Sequence, residues 1–133
     1  MTKTYQGSCH CGAVRFAAAI DLARGTLRCN CSICAKLRFW PAIIAPAAFR
    51  LLAGEDALAD YQFHTRRDHH FFCRQCGVHP FGTGTSPRWG AFYAVNVVCL
   101  DDVPQEALAA APITWIDGRN DNWDSAPAFT AHL

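Results

Sequence analysis

The placement of the cysteines constrains this chain more than any other feature of its sequence. There are eight in 133 residues. Seven of them fall in three tight groups: Cys9 and Cys11; Cys29, Cys31 and Cys34; Cys73 and Cys76. Disulfides between positions so close together are strained. A tetrahedral zinc with Zn–S bonds of about 2.3 Å instead needs sulfurs roughly 3.8 Å apart, which C-x-C and C-x-x-C spacings permit. The pattern therefore favours metal binding.

Two of the groups supply two ligands each. Cys9 and Cys11 together with Cys73 and Cys76, called the four-cysteine group below, would close one zinc site that joins the N-terminal region to the middle of the chain. We expect Gly77 to adopt the left-handed conformation that such a C-x-x-C turn needs. A thioredoxin-like redox role for this pair is disfavoured because the residues after it do not begin a helix.

The third group, Cys29, Cys31 and Cys34, is called the triplet below. Three protein ligands and one open position are what a catalytic zinc requires, whereas a closed set of four is structural. The alternative is a second structural zinc closed by a distant ligand, for which the candidates are Cys99, His69, His70 and His79. Cys99 lies in an apolar run and is more readily explained as a small buried hydrophobic residue.

Composition narrows the class of protein. Hydrophobic residues make up 51% of the chain and charged residues 17%, which excludes a disordered tail, and the length predicts one domain over residues 1–133. A net charge of +1 provides no field for binding nucleic acid or an anionic membrane. No apolar run reaches the roughly 18 residues of a membrane span, and Met1–Gly12 has no secretory h-region. We therefore expect a cytoplasmic protein.

The local pattern is mostly β, with many short strands and two short helices. The helices are predicted at Ser32–Leu37 and Pro104–Ala110, the second capped by Asp101 or Asp102, and Pro41 is expected at a sheet edge. The predicted strands are Ala13–Phe16, Phe39–Ile44, Phe49–Leu52, Asp60–His64, His69–Cys73, Ala91–Leu100 and Ile113–Ile116.

Three motifs carry a resemblance that extends over nearly the whole chain. They are Gly7–Phe16 around the first cysteine pair, Cys29-Asn30-Cys31-Ser32-Ile33-Cys34, and Phe72–Gly77 around the last pair. In this order and spacing the chain resembles the glutathione-dependent formaldehyde-activating enzyme family, which includes the centromere protein V domain.

The resemblance implies an Mss4-like fold of packed antiparallel sheets held together by zinc. It implies two zinc ions per chain: a structural one on the four-cysteine group, and a catalytic one on the triplet. It also implies a carbon–sulfur lyase that joins glutathione and formaldehyde into S-(hydroxymethyl)glutathione, so the expected partners are a glutathione-like thiol and an aldehyde.

Several segments depart from that family's usual sequence. The residues after the triplet, Ala35–Trp40, are bulky, and we expect them to line the cleft above it together with Arg66–Phe71 and Val78–Phe81. A site for glutathione should offer cations to its two carboxylates. The candidate cations are Lys36, Arg38, Arg66, Arg67 and Arg88, and the candidate apolar walls are Phe39, Trp40, Phe81 and Trp89.

A second hypothesis belongs to another class of protein. The chain could be a non-catalytic, zinc-stapled module that binds a protein partner. Such a module should show four protein ligands at both metals and an exposed apolar patch. An enzyme should show an open triplet beside a concave pocket.

Overall fold

The secondary structure consists of short strands with two short α-helices, as the sequence predicts. The computed structural model describes residues 1–133. The elements in chain order are β1 (Lys3–Ser8), β2 (Arg15–Ile20), β3 (Thr26–Cys29), α1 (Ser32–Leu37), β4 (Pro41–Ile44), β5 (Phe49–Ala53), β6 (Leu58–Tyr61), β7 (His69–Cys73), β8 (Phe81–Ser86), β9 (Gly90–Asn96), α2 (Gln105–Ala110) and β10 (Ile113–Ile116). Neither helix has the length that a membrane span requires.

The strands form three sheets. An antiparallel sheet has the order β1-β2-β5, and a larger antiparallel sheet has the order β4-β9-β8-β7-β6. Pro41 begins β4 at the edge of the larger sheet, where its missing N–H breaks no ladder, as predicted. The expectation of antiparallel sheets holds for these two. The third sheet is different, because β3 and β10 pair in parallel, with Ile116 opposite Cys29.

The two antiparallel sheets share one apolar core. Phe16 on β2 is fully buried, as is Val95 on β9. Phe49 on β5 packs against Phe16 with ring centroids 5.4 Å apart and against Phe81 and Tyr93 of the larger sheet at 4.5 Å each. This aromatic cluster fixes the two sheets against each other. The opposite face of the larger sheet is left for β3, β10 and α1.

Several element boundaries differ from the predicted ones. The predicted strand Ala91–Leu100 ends at Asn96, and the chain then makes a 3-10 turn over Val97–Cys99. The predicted strand Ala13–Phe16 begins at Arg15 and runs on to Ile20. The sequence does not predict strands β1, β3 and β8, because their glycine and charged residues weaken the local β signal.

The start of α2 also differs from the prediction. Pro104 occupies the N-cap position, and neither aspartate caps the helix. The Asp101 carboxylate accepts a hydrogen bond from Ser8 Oγ at 2.7 Å, and Asp102 Oδ1 accepts one from the Gln6 amide at 3.0 Å. The two carboxylates therefore bind β1, the strand that leads into the first cysteine pair.

We expect Phe16→Ala to lower the free energy of unfolding by about 3–5 kcal/mol, because it leaves a cavity where a fully buried ring contacted Phe49 and Phe81. Urea denaturation of the zinc-loaded protein would measure this. Phe129 is 79% exposed, so Phe129→Ala should change the value by less than about 0.5 kcal/mol. Equal losses in the two variants would contradict the core assignment.

Candidate metal centre

The four-cysteine group comes together at one end of the sheets. Cys9 and Cys11 follow β1, Cys73 ends β7, and Cys76 lies in the turn after it. The Cys11 sulfur lies 3.7 Å from the sulfurs of both Cys9 and Cys73, and all four sulfurs lie within 4.8 Å of one another. The edge of a tetrahedral zinc–sulfur site is roughly 3.8 Å long. The donor set and its spacing therefore fit a zinc ion with four thiolate ligands.

The local backbone shapes these two turns around the sulfurs. Gly77 has φ +76°, the left-handed conformation predicted for it, and Gly12 has φ +82° after the first pair. The amide of Val14 donates to Cys9 Sγ at 3.3 Å, and that of Gln75 donates to Cys73 Sγ at 3.4 Å. Hydrogen bonds from the amides of Cys76 and Gln75 lower the pKa of Cys73. Backbone N–H groups of Cys11 and Val78 lower the pKa of Cys76 to about 6.

The triplet is built where β3 gives way to α1. Cys29 is the last residue of β3, Cys31 is the N-cap of α1, and Cys34 lies in the first turn of the helix. Their three sulfurs lie within 4.8 Å of one another. No histidine, cysteine or carboxylate joins them as a fourth member of the group. The donor set therefore fits a zinc ion with three thiolate ligands.

The four residues proposed as distant closing ligands all lie outside this group. Cys99 is buried in the core, where its thiol is 3.9 Å from the carbonyl oxygen of His79. His69 Nδ1 pairs with Asp60 Oδ2 at 2.6 Å. His70 and His79 line the cavity next to the triplet.

The three thiols of the triplet do not ionise alike. Hydrogen bonds donated by the thiols of Cys29 and Cys34, together with the amides of Cys34 and Ile33, lower the pKa of Cys31. Hydrogen bonds to Cys29 and Cys31, together with burial, raise the pKa of Cys34 well above its usual range. Cys31 is therefore the first thiolate of the triplet. Since metals bind thiolates, it is the first ligand ready for a cation.

A buried polar network holds the triplet in place. Asn30, between two of the cysteines, donates from Nδ2 to Asp117 Oδ1 at 2.8 Å and accepts from the amide of Arg119 at 2.9 Å. Asn120 donates to both carboxylate oxygens of Asp117. The amides of Asn120 and Asn30 lower the pKa of Asp117, so its carboxylate stays ionised. The network binds the triplet segment to the residues after β10.

Gly118 allows the two segments to approach. A Cβ atom at this position would lie 2.7 Å from Cys29 Sγ and 2.9 Å from Trp123 Cη2, closer than real contacts of this kind. Neither Gly118 nor Asp117 is predicted from the sequence as a site residue. The one local signal for these two residues is the polar run Asp117–Asn122 directly after a strand. That run can be assigned to the triplet only once β10 is known to pair with β3.

An apolar cavity of about 140 Å³ opens beside the triplet, and we call it the apolar cavity. All three cysteines line it, with His70, His79 and Asp68 among its polar residues and no lysine or arginine. Its apolar lining consists of Leu27, Ile33, Leu37, Phe39, Pro41, Ile43, Phe81, Trp89, Phe92, Ala94, Ile116 and Trp123.

Three of the four aromatic walls expected from the sequence are among these residues. Trp40 is the exception. It faces away from the cavity, donates from Nε1 to Thr26 Oγ1 at 2.6 Å, and stacks under the guanidinium of Arg28 at 5.0 Å.

A second concavity, called the polar groove, shares Cys31 with the apolar cavity and has a volume of about 810 Å³. Of the candidate cations, Arg67 and Arg88 line it, and Arg88 also contacts Asp124 at 3.4 Å. Arg38 instead donates to the carbonyl of Leu133 at 3.3 Å. Lys36 and Arg66 line neither concavity.

We expect Gly118→Ala to weaken zinc binding at the triplet, because the added methyl group displaces the Cys29 sulfur. Native mass spectrometry during titration with a chelator would show one zinc lost at lower chelator concentration than in the unmodified protein. Arg119→Ala is the control, since it retains the amide that binds Asn30. Identical chelator titrations for Gly118→Ala and the unmodified protein would contradict this account of Gly118.

Comparisons with known proteins agree with this arrangement. The family model described as "Glutathione-dependent formaldehyde-activating enzyme" matches residues 4–117, a range that contains all seven clustered cysteines. A solved structure of a Rhodobacter sphaeroides protein is 33% identical, with a TM-score of 0.70, over 82% of this chain and 99% of that one. The chain thus belongs to the glutathione-dependent formaldehyde-activating enzyme family.

Proposed function

We propose that this chain is a zinc-dependent carbon–sulfur lyase of the S-(hydroxymethyl)glutathione synthase type, which joins and separates a thiol and an aldehyde. The observation that carries the proposal is the triplet itself. Its three sulfurs have no fourth protein ligand and border the apolar cavity, and Cys31 also borders the polar groove. An open position beside a concave pocket is what a reactive metal site needs, whereas the four-cysteine group has the closed set of a structural site.

In this proposal Cys29, Cys31 and Cys34 hold the reactive zinc, and Cys9, Cys11, Cys73 and Cys76 hold the structural one. Zinc bound at the triplet would lower the pKa of a substrate thiol and so supply a thiolate at neutral pH. All eight cysteines are free. Because oxidised cysteines cannot serve as thiolate ligands, we place the protein in the reducing cytoplasm.

The polar groove is the proposed site for the thiol substrate. Glutathione carries two carboxylates and an ammonium group. Arg67 and Arg88 suit the carboxylates, while Asp121 and Asp124 on the same groove suit the ammonium. Since Cys31 also lines this groove, a thiol bound there has its sulfur beside the triplet.

The chemistry balances without a redox partner. The substrate sulfur attacks the carbonyl carbon, so that a carbon–sulfur bond forms and the π electrons of the carbonyl group move to its oxygen. The thiol releases one proton and the carbonyl oxygen takes up one proton. His70 donates from Nδ1 to the carbonyl of Tyr61 at 3.1 Å, so its Nε2 is left to accept and return that proton. Burial and the neighbouring His70 lower the pKa of His79, so this second imidazole of the apolar cavity is neutral at pH 7.

The partner-binding module is the less favoured function. A partner-binding module should have four protein ligands at both metals, whereas the triplet offers three. The open triplet beside two concavities favours the enzyme.

We expect Cys31→Ser to abolish catalysed exchange between glutathione, formaldehyde and their adduct while leaving the protein folded, because it removes a ligand from the open site alone. Exchange NMR would measure activity and circular dichroism the fold. Cys99→Ala is the control, since Cys99 belongs to neither group, and it should retain two zinc ions and full activity. No acceleration over buffer by the fully zinc-loaded, unmodified protein would overturn the proposed function.

Cys73→Ser should instead unfold the chain, because Cys73 is fully buried and is one of the four ligands of the site that joins β1 to β7. Circular dichroism and urea denaturation would show the loss. If Cys31→Ser and Cys73→Ser fold equally well, the division into a reactive and a structural zinc is wrong.

A further inference from the structure

We propose that the apolar cavity receives the substituent of the carbonyl substrate, and that this substituent is an aryl group of about six carbon atoms. The substrate class is then an aromatic aldehyde, with formaldehyde a poor substitute. This inference rests on the proposed function and adds the identity of the second substrate.

The first observation is the chemistry of the walls. One side is the sheet, where Ile43 of β4 and Ala94 of β9 are paired neighbours and Phe92 lies two residues along β9. The other side is α1, which contributes Ile33 and Leu37. No lysine or arginine lines the cavity. A carboxylate placed against these apolar walls, away from the triplet, would lose its hydration without gaining a side-chain cation, so the part of the substrate that contacts the walls is apolar.

The second observation is the size of the cavity. Its volume of about 140 Å³ is close to that of an engineered apolar cavity of about 150 Å³ that binds benzene. Formaldehyde has no substituent to place in such a space and would leave the walls without contacts. A poorly filled apolar cavity lacks favourable dispersion contacts and buries little apolar surface of the ligand. The cavity therefore favours an aldehyde with a ring on the carbonyl carbon over one with only a hydrogen atom there.

The third observation is where the cavity lies relative to the polar groove. Both are lined by Cys31, His70 and Trp89, so they meet beside the triplet. A polar thiol in the groove and an apolar aldehyde in the cavity would bring sulfur and carbonyl carbon together at this junction. Two concavities of opposite character thus match the two halves of one adduct.

The step is the formation of a hemithioacetal. The thiolate sulfur bonds to the carbonyl carbon of the aryl aldehyde, the carbonyl π bond breaks, and its electron pair moves to oxygen. Oxygen takes up one proton, which replaces the one released by the thiol. No oxidant or reductant is consumed, and the reverse step releases the same aldehyde and thiol.

The test compares benzaldehyde with formaldehyde, each mixed with glutathione and the zinc-loaded protein, by exchange NMR of the adduct. Acceleration over buffer is measured for each aldehyde, so their unequal intrinsic reactivity cancels. The expected result is acceleration with benzaldehyde that exceeds the acceleration with formaldehyde by about tenfold or more.

A variant that fills the cavity, compared with a matched control, tests the same inference. Ala94→Phe places a ring in the cavity, whereas Ala91→Phe makes the same change at an exposed position on the same strand. We expect the ratio of the benzaldehyde acceleration to the formaldehyde acceleration to fall by about tenfold or more in Ala94→Phe and to stay unchanged in Ala91→Phe. Ala94→Phe must first match the unmodified protein by circular dichroism. If it does not fold, the smaller Ala94→Leu replaces it.

Binding provides a readout that does not depend on catalysis. Toluene, an unreactive ring of the same size, should shift the methyl signals of Ile43 saturably, and this shift should disappear in Ala94→Phe. Acceleration with formaldehyde but not benzaldehyde, or no binding of toluene, overturns this inference and leaves the proposed function standing. No acceleration with either aldehyde overturns both.

Discussion

Close packing of sulfur atoms is the constraint on which the rest of the structure depends. Seven cysteines are held in two groups whose sulfurs lie within 4.8 Å of one another. Backbone amides donate to the sulfurs of Cys9, Cys29 and Cys73, and the amides of Cys76 and Gln75 lower the pKa of Cys73. Thiolates this close repel each other unless a cation lies between them, so both groups could hold a metal ion.

The sheets give these two groups different surroundings. The four-cysteine group lies where β1 and β7 end, and its neighbours Val14 and Cys73 are fully buried. The triplet lies on the other face of the larger sheet, where the parallel pair β3 and β10 brings Asn30 onto Asp117. Both groups are clusters of cysteine side chains, but the triplet alone borders the apolar cavity and the polar groove. The difference in access, rather than in ligand chemistry, separates the proposed structural role from the proposed reactive one.

Sequence spacing predicts what is local. The cysteine groups, the left-handed Gly77, the helix over Ser32–Leu37 and the edge position of Pro41 all follow from neighbouring residues, and the structure confirms each arrangement. Bulky residues after the triplet likewise predicted an apolar cleft, and Leu37 and Phe39 line it.

The features that the sequence does not predict depend on pairing between strands that are far apart in the chain. The parallel register of β3 with β10 joins segments more than eighty residues apart, and it alone brings Gly118 against Cys29 and Asp117 against Asn30. No local pattern encodes that register. The same holds for Asp101 and Asp102. Their position just before a helix predicts that they cap it, but in the folded chain both carboxylates instead accept hydrogen bonds from β1.

The central claim is that the triplet leaves one ligand position free for a substrate sulfur. X-ray absorption at the zinc edge tests it most directly, on protein loaded with two zinc ions. Four sulfurs at one site and three at the other predict an average of about 3.5 sulfurs per zinc, rising to about 4 when glutathione is added. An average of about 4 before the thiol is added, or a value that glutathione leaves unchanged, would contradict the account.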